Sequence, residues 1–547
     1  MTSRIKYPVL TAIPVIAILV IAILVLGAAF RFYDTNWDQN SHQHPDERFL
    51  TMVTNDSRLP DTFADYLDPK VSTLVPYNIN FKYFTYGAFP VTLTKLCAVF
   101  FNLDNYDNIV LVGRRLAAAF DTFTILLIFF LAARLFNPSS ALAASLVYAL
   151  SVLPIQHSHF FVVDAFSVTF YLLALVLLIC CKMPLFAGLA FGAALGCKIS
   201  ILLQIPMLFL ALVFSSKNLA KITLNLALCT IGIYVGLRIA DPKFFSSAEW
   251  FNPFINPQFI ANLLELKRLS DFSEHPWPPG VQWLSKTPYI FTLQNFALYG
   301  FGIVATWLAL LGSIKNFSSK RVAVLSLWCC IFMLYAGAQF LQTMRYLYPI
   351  YPLAALLAGL GFSAIISDYK KNKAVMVLVL SALLALWPLA FMQIYTGEHT
   401  RIEASRWILS HNPKLEKIAV EHWDDSLPLQ IPGYDFSVKF LELPVFEPDS
   451  PQKIALLRTR SAQADAIILS SNRGWGSIMP LSAKFPLTIQ WYQELFNGTG
   501  DFIERQRFSR LPKLFGYEFS EALADEAFSV YDHPEVRVFL RKSSLKP

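Results

Sequence analysis

The stretch VLTAIPVIAILVIAILVLGAAF, residues 9–30, leads after a short connection into the polar stretch SHQHPDERF, residues 41–49. The first stretch carries no charge over about 22 residues, which is long enough to cross a hydrocarbon core of about 30 Å. Arg4 and Lys6 precede it, but no convincing small-residue cleavage site follows, so we interpret it as an uncleaved first membrane helix. The second stretch brings two histidines and two adjacent acids close to the membrane, where charges are costly unless they face water or a bound molecule. The sequence therefore predicts a membrane helix that delivers a polar, chemically active loop to one surface of the bilayer.

The composition extends this prediction to most of the chain. Of the 547 residues, 55% are hydrophobic and 15% are charged, against roughly 25% charged residues in soluble domains. The mean hydropathy is +0.47, which is typical of a chain that crosses the membrane several times. The composition thus indicates a polytopic membrane protein, and no nucleic-acid partner is expected.

The cysteines of the chain lie in or beside apolar segments. They are Cys97, Cys180, Cys181, Cys197, Cys229, Cys329 and Cys330. We interpret them as small apolar packing residues, so neither disulfides nor cysteine-bound metal is expected.

Eleven membrane spans are predicted in residues 1–394. After residues 9–30 they cover about 113–134, 139–156, 165–181, 184–198, 200–215, 219–239, 295–314, 322–341, 346–366 and 374–394. If the N-terminus is cytoplasmic, the inner ends of these spans carry clusters of lysine and arginine with one acid, Asp368. Because cytoplasmic loops are enriched in basic residues, this arrangement predicts a plasma (inner) membrane protein whose odd-numbered helices run outward.

Two long external connections are predicted between the spans. Residues 31–112 form the first, and within it residues 86–101 are apolar but too short to cross, which indicates a helix at the interface. Residues 240–294 form the second, whose tryptophans and prolines suit a cover over a site. The candidate functional residues therefore all lie on the external side.

From residue 395 to residue 547 the composition becomes that of a soluble domain. An amphipathic helix is predicted around 403–409, and short apolar runs predict strands at 417–420, 466–469 and 536–540. Helices that alternate with short buried strands favour an α/β domain of about 150 residues. The predicted fold class is thus a polytopic α-helical membrane protein with about eleven transmembrane helices and a C-terminal external α/β domain.

Asp46 and Glu47 are the first candidates for catalysis. One carboxylate of such a pair can act as a general base while its neighbour orients a substrate or a metal, although a solvated loop is the plainer alternative. Asp164 ends a short external connection, residues 156–164, and Arg345 precedes a late helix. Arg345 is a candidate for binding phosphate, because a guanidinium can donate two hydrogen bonds to it at once. The alternative is that Arg345 anchors the end of the helix by extending its charged group to the membrane surface.

Histidines near these acids raise the question of a metal. Glu47, His157 and His159 could together hold Zn²⁺, Mn²⁺ or Mg²⁺, but their spacing lacks the i, i+4 regularity of a helical pair. Hydrogen bonding of neutral imidazole to a sugar or phosphate is the plainer interpretation. No cofactor is therefore assigned, and a divalent metal stays an open alternative.

Five short motifs follow one another along the chain and are predicted to lie on the same side of the membrane. They are His44-Pro45-Asp46-Glu47, Arg114-Arg115-Leu116, the run from His159 to Asp164, the run from Gly192 to Lys198, and Arg345-Tyr346-Leu347-Tyr348-Pro349-Ile350-Tyr351-Pro352. In order and spacing they resemble the GT-C superfamily of membrane glycosyltransferases over most of residues 1–395. The likeness is closest to glycosyltransferase family 39, which includes protein O-mannosyltransferases and the aminoarabinose transferase of lipid A. The tail does not resemble the MIR repeats of eukaryotic O-mannosyltransferases, which argues against assuming a protein acceptor.

The resemblance implies an inverting glycosyltransferase. Such an enzyme would move a monosaccharide from a polyprenyl-phosphate carrier to a hydroxyl acceptor on the external face of the membrane. Asp46 matches the family's catalytic aspartate and would be the general base, with Glu47 as the second candidate. Asp164 would hold the sugar or support the first loop, and Arg345 would stabilise the leaving phosphate.

Four more residues are candidates for substrate binding: His44, His159, Lys198 and Arg114. Lys198 ends a glycine-rich predicted helix and could supply a second cation, with an interfacial anchor as the alternative. Arg114 lies seven residues before Asp121, hence on the same helix face, where packing is the alternative to substrate contact. The acceptor hydroxyl could belong to a protein, a glycan or a lipid, and the sequence does not choose among them.

Two functions of other classes stay open. A transporter or flippase of a lipid-linked sugar would use the same polar face, although the chain shows no internal repeat and no polar midplane. A non-catalytic receptor would instead bind a polymer through its external domain. Loss of sugar transfer in Asp46→Asn separates the enzyme from both, because neither alternative requires a base.

Overall fold

The computed structural model describes residues 7–270, 277–369, 371–411, 415–434 and 436–544, so Arg4 and Lys6 lie outside the described residues. The helices up to residue 391 are α1 Tyr7–Phe32, α2 Pro45–Asp56, α3 Phe63–Leu67, α4 Phe89–Phe100, α5 Tyr106–Leu135, α6 Pro138–Ala149, α7 Val152–Ser158, α8 Asp164–Ile179, α9 Pro184–Cys197, α10 Ile205–Phe214, α11 Leu219–Ala240, α12 Pro257–Ser270, α13 Ile290–Gln294, α14 Ile303–Asn316, α15 Lys320–Ala338, α16 Tyr351–Asp368 and α17 Lys373–Phe391. Each predicted span coincides with a helical stretch, and the short helix expected near residues 86–101 forms as α4. The polytopic helical fold is therefore confirmed.

The helices differ from the eleven predicted spans, because two of the spans are bent and three, at 165–181, 184–198 and 200–215, coincide with shorter apolar helices. Among the described residues, six helices are long and apolar enough to cross a membrane, or eight if each of two bent pairs counts as one span. The span predicted at 139–156 bends by 56° between α6 and α7. The span predicted at 295–314 is not one helix, because a π-helical turn at Asn295–Gly300 meets α14 at 112°. Gly302 at this corner has a φ of +93°, a conformation that glycine adopts without steric cost.

Small residues bring α9 and α11 into close contact. A Cβ atom built on Gly188 would lie 2.1 Å from the carbonyl oxygen of Cys229, and one built on Gly192 would lie 2.4 Å from that of Ile233. Such close backbone approach is how membrane helices associate without a hydrophobic driving force between them. The contact fixes the position of α9, whose C-terminal end carries Lys198.

A buried polar cluster joins α1, α5 and α6. Arg31 donates to Asp121 at 2.6 Å, and the Asp121 carboxylate also accepts from the hydroxyls of Tyr148 at 2.6 Å and Tyr348 at 2.5 Å. Every one of these side chains is buried, so the charges are compensated by pairing and hydrogen bonds rather than by water. Asp121 thus has the packing role that the alternative interpretation gave it.

The C-terminal domain is a small α/β unit. Its helices are α18 Thr400–His411, α19 Pro451–Gln463, α20 Arg473–Ile478, α21 Pro486–Phe496 and α22 Glu526–Ser529, and its strands are β1 Lys417–Glu421, β2 Lys439–Leu443, β3 Ala466–Leu469, β4 Phe502–Phe508, β5 Lys513–Leu514, β6 Tyr517–Glu518 and β7 Val536–Arg541. Five strands form one sheet in the order β2-β1-β3-β7-β4, with β1 parallel to β2 and β3, and β7 antiparallel to β3 and β4. The predicted helix and all three predicted strands are confirmed.

The carboxyl end of β1 faces the membrane part of the chain. Asp424 and Asp425 follow this strand, and Arg401 of α18 donates to both carboxylates at 2.6 and 3.1 Å. Arg401 also donates to Gln43 at 3.1 Å, while Arg48 of α2 donates to Asp425 at 2.8 Å. The domain is therefore docked onto the loop and helix that carry Asp46.

Candidate functional site

Four charged side chains from distant parts of the sequence meet in one cluster. Arg345 bridges two carboxylates, donating to Asp46 at 2.5 Å and to Asp164 at 2.9 Å. Lys198 donates to the second oxygen of Asp164 at 2.6 Å. Asp46 and Arg345 keep 30% and 17% of their side-chain surface exposed, whereas Asp164 is buried. The cluster thus consists of two carboxylates and two cationic side chains, and its solvent-accessible side is formed by Asp46 and Arg345.

Each of these residues stands at the end of a helix. Asp46 lies in the first turn of α2, which begins with Pro45 after the N-cap residue His44. Asp164 is the first residue of α8, and Lys198 follows the last residue of α9. Arg345 lies in a 3₁₀ turn, Met344–Ile350, that leads into α16. Acids at helix N-termini and a lysine at a C-terminus complement the helix dipoles, so the local structure favours this charge pattern.

A close backbone contact holds the next segment against the cluster. The Gly87 N–H donates to the Cys197 carbonyl at 3.0 Å, and a Cβ atom at Gly87 would lie 2.0 Å from the carbonyl oxygen of Gly196. Only glycine fits there. The neighbouring Tyr86 is thereby placed beside Asp46 and helps to lower the pKa of its carboxyl.

The protonation states follow from the charges around each group. Burial alone would raise the pKa of Asp46, but the charge and hydrogen bond of Arg345, together with smaller contributions from His44 and Tyr86, outweigh burial and lower it. Burial lowers the pKa of His44 to about 3, so its imidazole is neutral. The His44 Nδ1 atom accepts the Glu47 N–H at 3.4 Å as the helix cap. At neutral pH the site therefore presents an ionised Asp46 beside a neutral histidine.

Glu47 and Arg114 form a separate, fully buried cluster. Arg114 donates to both oxygens of Glu47 at 2.9 and 2.5 Å and makes two 2.9 Å bonds to Asp38. Glu47 also accepts the backbone N–H of Phe161 at 2.6 Å, and the Arg114 guanidinium lies over the ring of Trp37. All three charged side chains have no exposed surface. The structure therefore places Glu47 and Arg114, both predicted site residues, in a buried ion cluster apart from the contact of Asp46 with Arg345.

The histidine candidates His157 and His159 are both buried but differ in their hydrogen-bond partners. Both ring nitrogens of His159 lie within hydrogen-bond distance of backbone carbonyls, those of Ile155 at 2.9 Å and Tyr33 at 2.8 Å, and its ring stacks on Tyr395 at 4.1 Å. His157 is buried, and its Nδ1 atom lacks a partner within the described part of the chain. In the described ranges no three His, Cys, Asp or Glu side chains are grouped to hold a metal ion. The residues Glu47, His157 and His159 do not fit a metal centre, because the atoms of two of them are already engaged.

Several residues of the site were not predicted from sequence. Asp38 and Trp37 hold Arg114, Tyr86 lies beside Asp46, and Tyr531 of the C-terminal domain packs its ring on His44 at 4.1 Å. None of them stands in a recognisable motif. The one available signal was the density of aromatic residues close to charged ones, which does not single out any position.

A buried histidine lies between two carboxylates in the segment that follows α22. His533 bonds to Asp532 at 2.5 Å and to Glu521 at 2.8 Å, and Asp532 also accepts from Gln156 and Tyr395 at 2.9 and 2.8 Å. Burial opposes the charged imidazole, but the carboxylates of Glu521 and Asp532 outweigh it and raise the pKa of His533 to about 10. The charged histidine thus holds Asp532, which joins the C-terminal domain to the membrane part through Gln156 and Tyr395.

We expect the thermal stability of the protein to depend on His533 in alkaline solution. Its pKa is raised from 6.5 to about 10, so its stabilising contribution is complete below pH 6.5, declines above it, and is lost through pH 10. The difference in Tm between wild type and His533→Gln should therefore shrink as pH rises from 6.5 to 10.5. His411→Gln, at an exposed histidine of α18, should follow the wild-type curve. A difference that is constant with pH would contradict the assignment.

The sequence of one segment matches a known family. Residues 96–238 match the family described as dolichyl-phosphate-mannose-protein mannosyltransferase. The matched segment contains Arg114, Asp164 and Lys198, while Asp46 precedes it and Arg345 follows it. The match confirms the predicted likeness to GT-C membrane glycosyltransferases over this segment. No curated protein sequence matches the chain significantly.

Three solved structures are similar to this chain at low identity. ArnT from Cupriavidus metallidurans in the apo state is 13% identical, with a TM-score of 0.48, over 86% of this chain and 95% of that chain. ArnT bound to undecaprenyl phosphate is 11% identical, with a TM-score of 0.43, over 98% and 99%. The Archaeoglobus fulgidus oligosaccharyltransferase in complex with zinc and sulfate is 12% identical, with a TM-score of 0.48, over 93% and 74%. At these values the likeness is too distant to assign an activity.

Proposed function

We propose that this integral membrane protein, which carries a segment of the mannosyltransferase family, transfers a monosaccharide from a polyprenyl-phosphate carrier to a hydroxyl acceptor. The observation that carries the proposal is the contact of Arg345 with Asp46 and Asp164 at the accessible side of the cluster. It supplies a carboxylate base and a phosphate-binding cation within one site, and a transfer of this kind requires both.

Each residue of the cluster has a role in this reaction. Asp46 accepts the proton of the attacking hydroxyl, whose oxygen bonds to the anomeric carbon as the bond to phosphate breaks. Arg345 and Lys198 stabilise the negative charge that develops on the leaving phosphate. Asp164 holds both cations in place through its two oxygens. A single displacement of this kind inverts the configuration at the anomeric carbon.

The contact between Arg345 and Asp46 represents the resting site. Attacking hydroxyl and leaving phosphate lie on opposite sides of the anomeric carbon, so a base and a phosphate-binding cation cannot stay in contact during the reaction. The phosphate of the donor therefore takes over the guanidinium from Asp46. Asp46 then loses the charge that lowers its pKa and becomes a stronger base when the donor is in place.

We place this site on the external face of the plasma membrane. Helix α8 begins at Asp164 and α9 ends before Lys198, so the connection between them, with Lys182, lies at the opposite end. The connection before α11, with Lys217, and the start of α15, with Lys320 and Arg321, belong to the same predicted cytoplasmic side. A cysteine-accessibility experiment on Lys320→Cys and Asp61→Cys in intact cells tests this orientation, since only the second should react with an impermeant reagent.

The function is tested with purified protein in lipid and a panel of radiolabelled polyprenyl-phosphate monosaccharides, with and without cell-envelope extract. One donor should be consumed, either by transfer or by slow hydrolysis. Donor that binds and moves across the bilayer without release of sugar would contradict the enzyme and favour a flippase. The absence of binding to every polyprenyl phosphate would contradict the proposed donor class.

Arg345→Lys separates phosphate binding from anchoring of the helix. Lysine keeps the charge but loses the fork that bonds two partners at once, so we expect about 10–100-fold weaker binding of polyprenyl phosphate. Arg321→Lys is the matched control, because Arg321 is an exposed arginine at another helix end. It should bind as wild type does. Equal affinities in the two variants would show that Arg345 is only an anchor.

A further inference from the structure

The segment from Asp525 to His533 crosses from the C-terminal domain to the membrane part. Gln156 of α7 donates to the Phe528 carbonyl at 2.7 Å and to Asp532 at 2.9 Å. In the domain itself, Arg473 donates to Glu526 at 2.6 Å. The segment is therefore fixed at both sides, and its side chains occupy defined positions next to the cluster of Asp46 and Arg345.

Asp525 holds the turn that carries Arg345. Its carboxylate accepts the backbone N–H of Met344 at 2.9 Å, and its own N–H donates to Asn295 at 2.7 Å. Asp525 is fully buried, and Met344 directly precedes Arg345. A single carboxylate of the C-terminal domain thus sets the start of the 3₁₀ turn from which the guanidinium reaches Asp46 and Asp164.

Tyr531 brings an aromatic ring to the other side of the cluster. Its ring packs on His44 at 4.1 Å, two residues before Asp46 in sequence. Burial raises the pKa of the phenol, and Asp46 and Arg345 are among the charges that act on it. In the described part of the chain its hydroxyl has no hydrogen-bond partner, although the ring is half-buried. A hydroxyl in this position is free to bond to a molecule held between Asp46 and Arg345.

We propose that the C-terminal domain completes the site, with Tyr531 binding the transferred sugar and Asp525 positioning Arg345. The inference rests on the proposed function. In that reaction the anomeric carbon lies between the base and the leaving phosphate, so the sugar ring occupies the space that opens between Asp46 and Arg345 when the donor phosphate takes over the guanidinium. Tyr531 borders this space, and a phenol offers both an apolar face for the ring and a hydroxyl that donates or accepts.

Tyr531 and Asp525 should affect the binding of different parts of the donor. Tyr531 contacts the sugar, so its loss weakens the binding of a polyprenyl-phosphate monosaccharide but not of bare polyprenyl phosphate. Asp525 acts through Arg345 on the phosphate, so its loss weakens the binding of both. The ratio of the two affinities therefore separates a sugar contact from a general disturbance of the site, which would lower both affinities and leave their ratio unchanged.

The test measures binding of bare polyprenyl phosphate and of polyprenyl-phosphate monosaccharides, with mannose as the first, to the full-length protein in lipid. Tyr531→Ala should lower the preference for the sugar-linked form about 10–100-fold. Tyr531→Phe keeps the ring against His44 and should lower it about 3–10-fold, as expected for one hydrogen bond. An unchanged preference in a folded Tyr531→Phe and Tyr531→Ala would overturn the sugar contact.

Asp525 is tested with a conservative pair of variants. Asp525→Asn retains an oxygen that can accept the Met344 N–H and should bind both ligands nearly as wild type does, whereas Asp525→Ala should bind both about 10-fold more weakly. Asp501→Ala is the control, because the Asp501 side chain is 75% exposed in the same domain. Equal binding by Asp525→Ala and wild type would overturn the positioning role. If wild type bound neither ligand, the proposed function itself would fail.

Discussion

Asp46→Asn should lose sugar transfer by about 10²–10⁴-fold while still binding the donor. Asparagine has nearly the same shape but cannot accept the proton of the attacking hydroxyl. The carboxylate of Asp46 also competes with phosphate for Arg345, at 2.5 Å in the resting site. Its neutralisation should therefore leave the affinity for polyprenyl phosphate unchanged or raise it. A fall in turnover together with unchanged or tighter binding identifies a base rather than a binding residue.

The measurement is single-turnover release of sugar at saturating donor, beside an equilibrium titration with polyprenyl phosphate. Asp61→Asn is the matched control, since Asp61 is an exposed aspartate of the same connection between α1 and α5. Its turnover and binding should equal those of wild type. Normal turnover in Asp46→Asn would remove Asp46 as the base. Weaker binding in that variant would instead assign Asp46 to donor recognition.

The convergence of Asp46, Asp164, Lys198 and Arg345 could be predicted because sidedness constrains a membrane protein strongly. The apolar spans fix which connections meet on one face, and each of these residues stands at a helix end on the same face. The spans themselves were predictable from length and hydropathy. The strands of the C-terminal domain could also be predicted, because short buried runs are local features of the sequence.

The different surroundings of Asp46 and Glu47 could not be predicted from local sequence. Successive residues of a helix point about 100° apart, so one of an adjacent pair can face the site while the other faces the interior. Which does so depends on Arg114, which bonds to Glu47 across 67 positions of sequence and to Asp38 across 76. Tyr531 and His44, whose rings are in contact, lie even farther apart in the sequence. No local pattern encodes such pairings, because they arise only when the helices have packed.

Arg114→Ala should destabilise the fold rather than alter substrate affinity selectively. The substitution leaves Asp38 and Glu47 buried without a counter-charge, which costs about 3–5 kcal/mol when one partner of a buried ion pair is removed. We expect a lower Tm and a smaller yield of monodisperse protein. Arg115→Ala, at the exposed neighbouring position on α5, is the matched control and should behave as wild type does.

A compensated variant shows whether the cost is electrostatic. Asp38→Asn and Glu47→Gln remove the two charges that Arg114 neutralises, so their combination with Arg114→Met should recover part of the lost Tm. Buried ion clusters can often be replaced in this way, whereas removal of one member alone is strongly destabilising. If Arg114→Ala folds with the Tm of wild type but no longer transfers sugar, the packing assignment is wrong. Arg114 would then contact the substrate, and Glu47 would have to be reconsidered as the base.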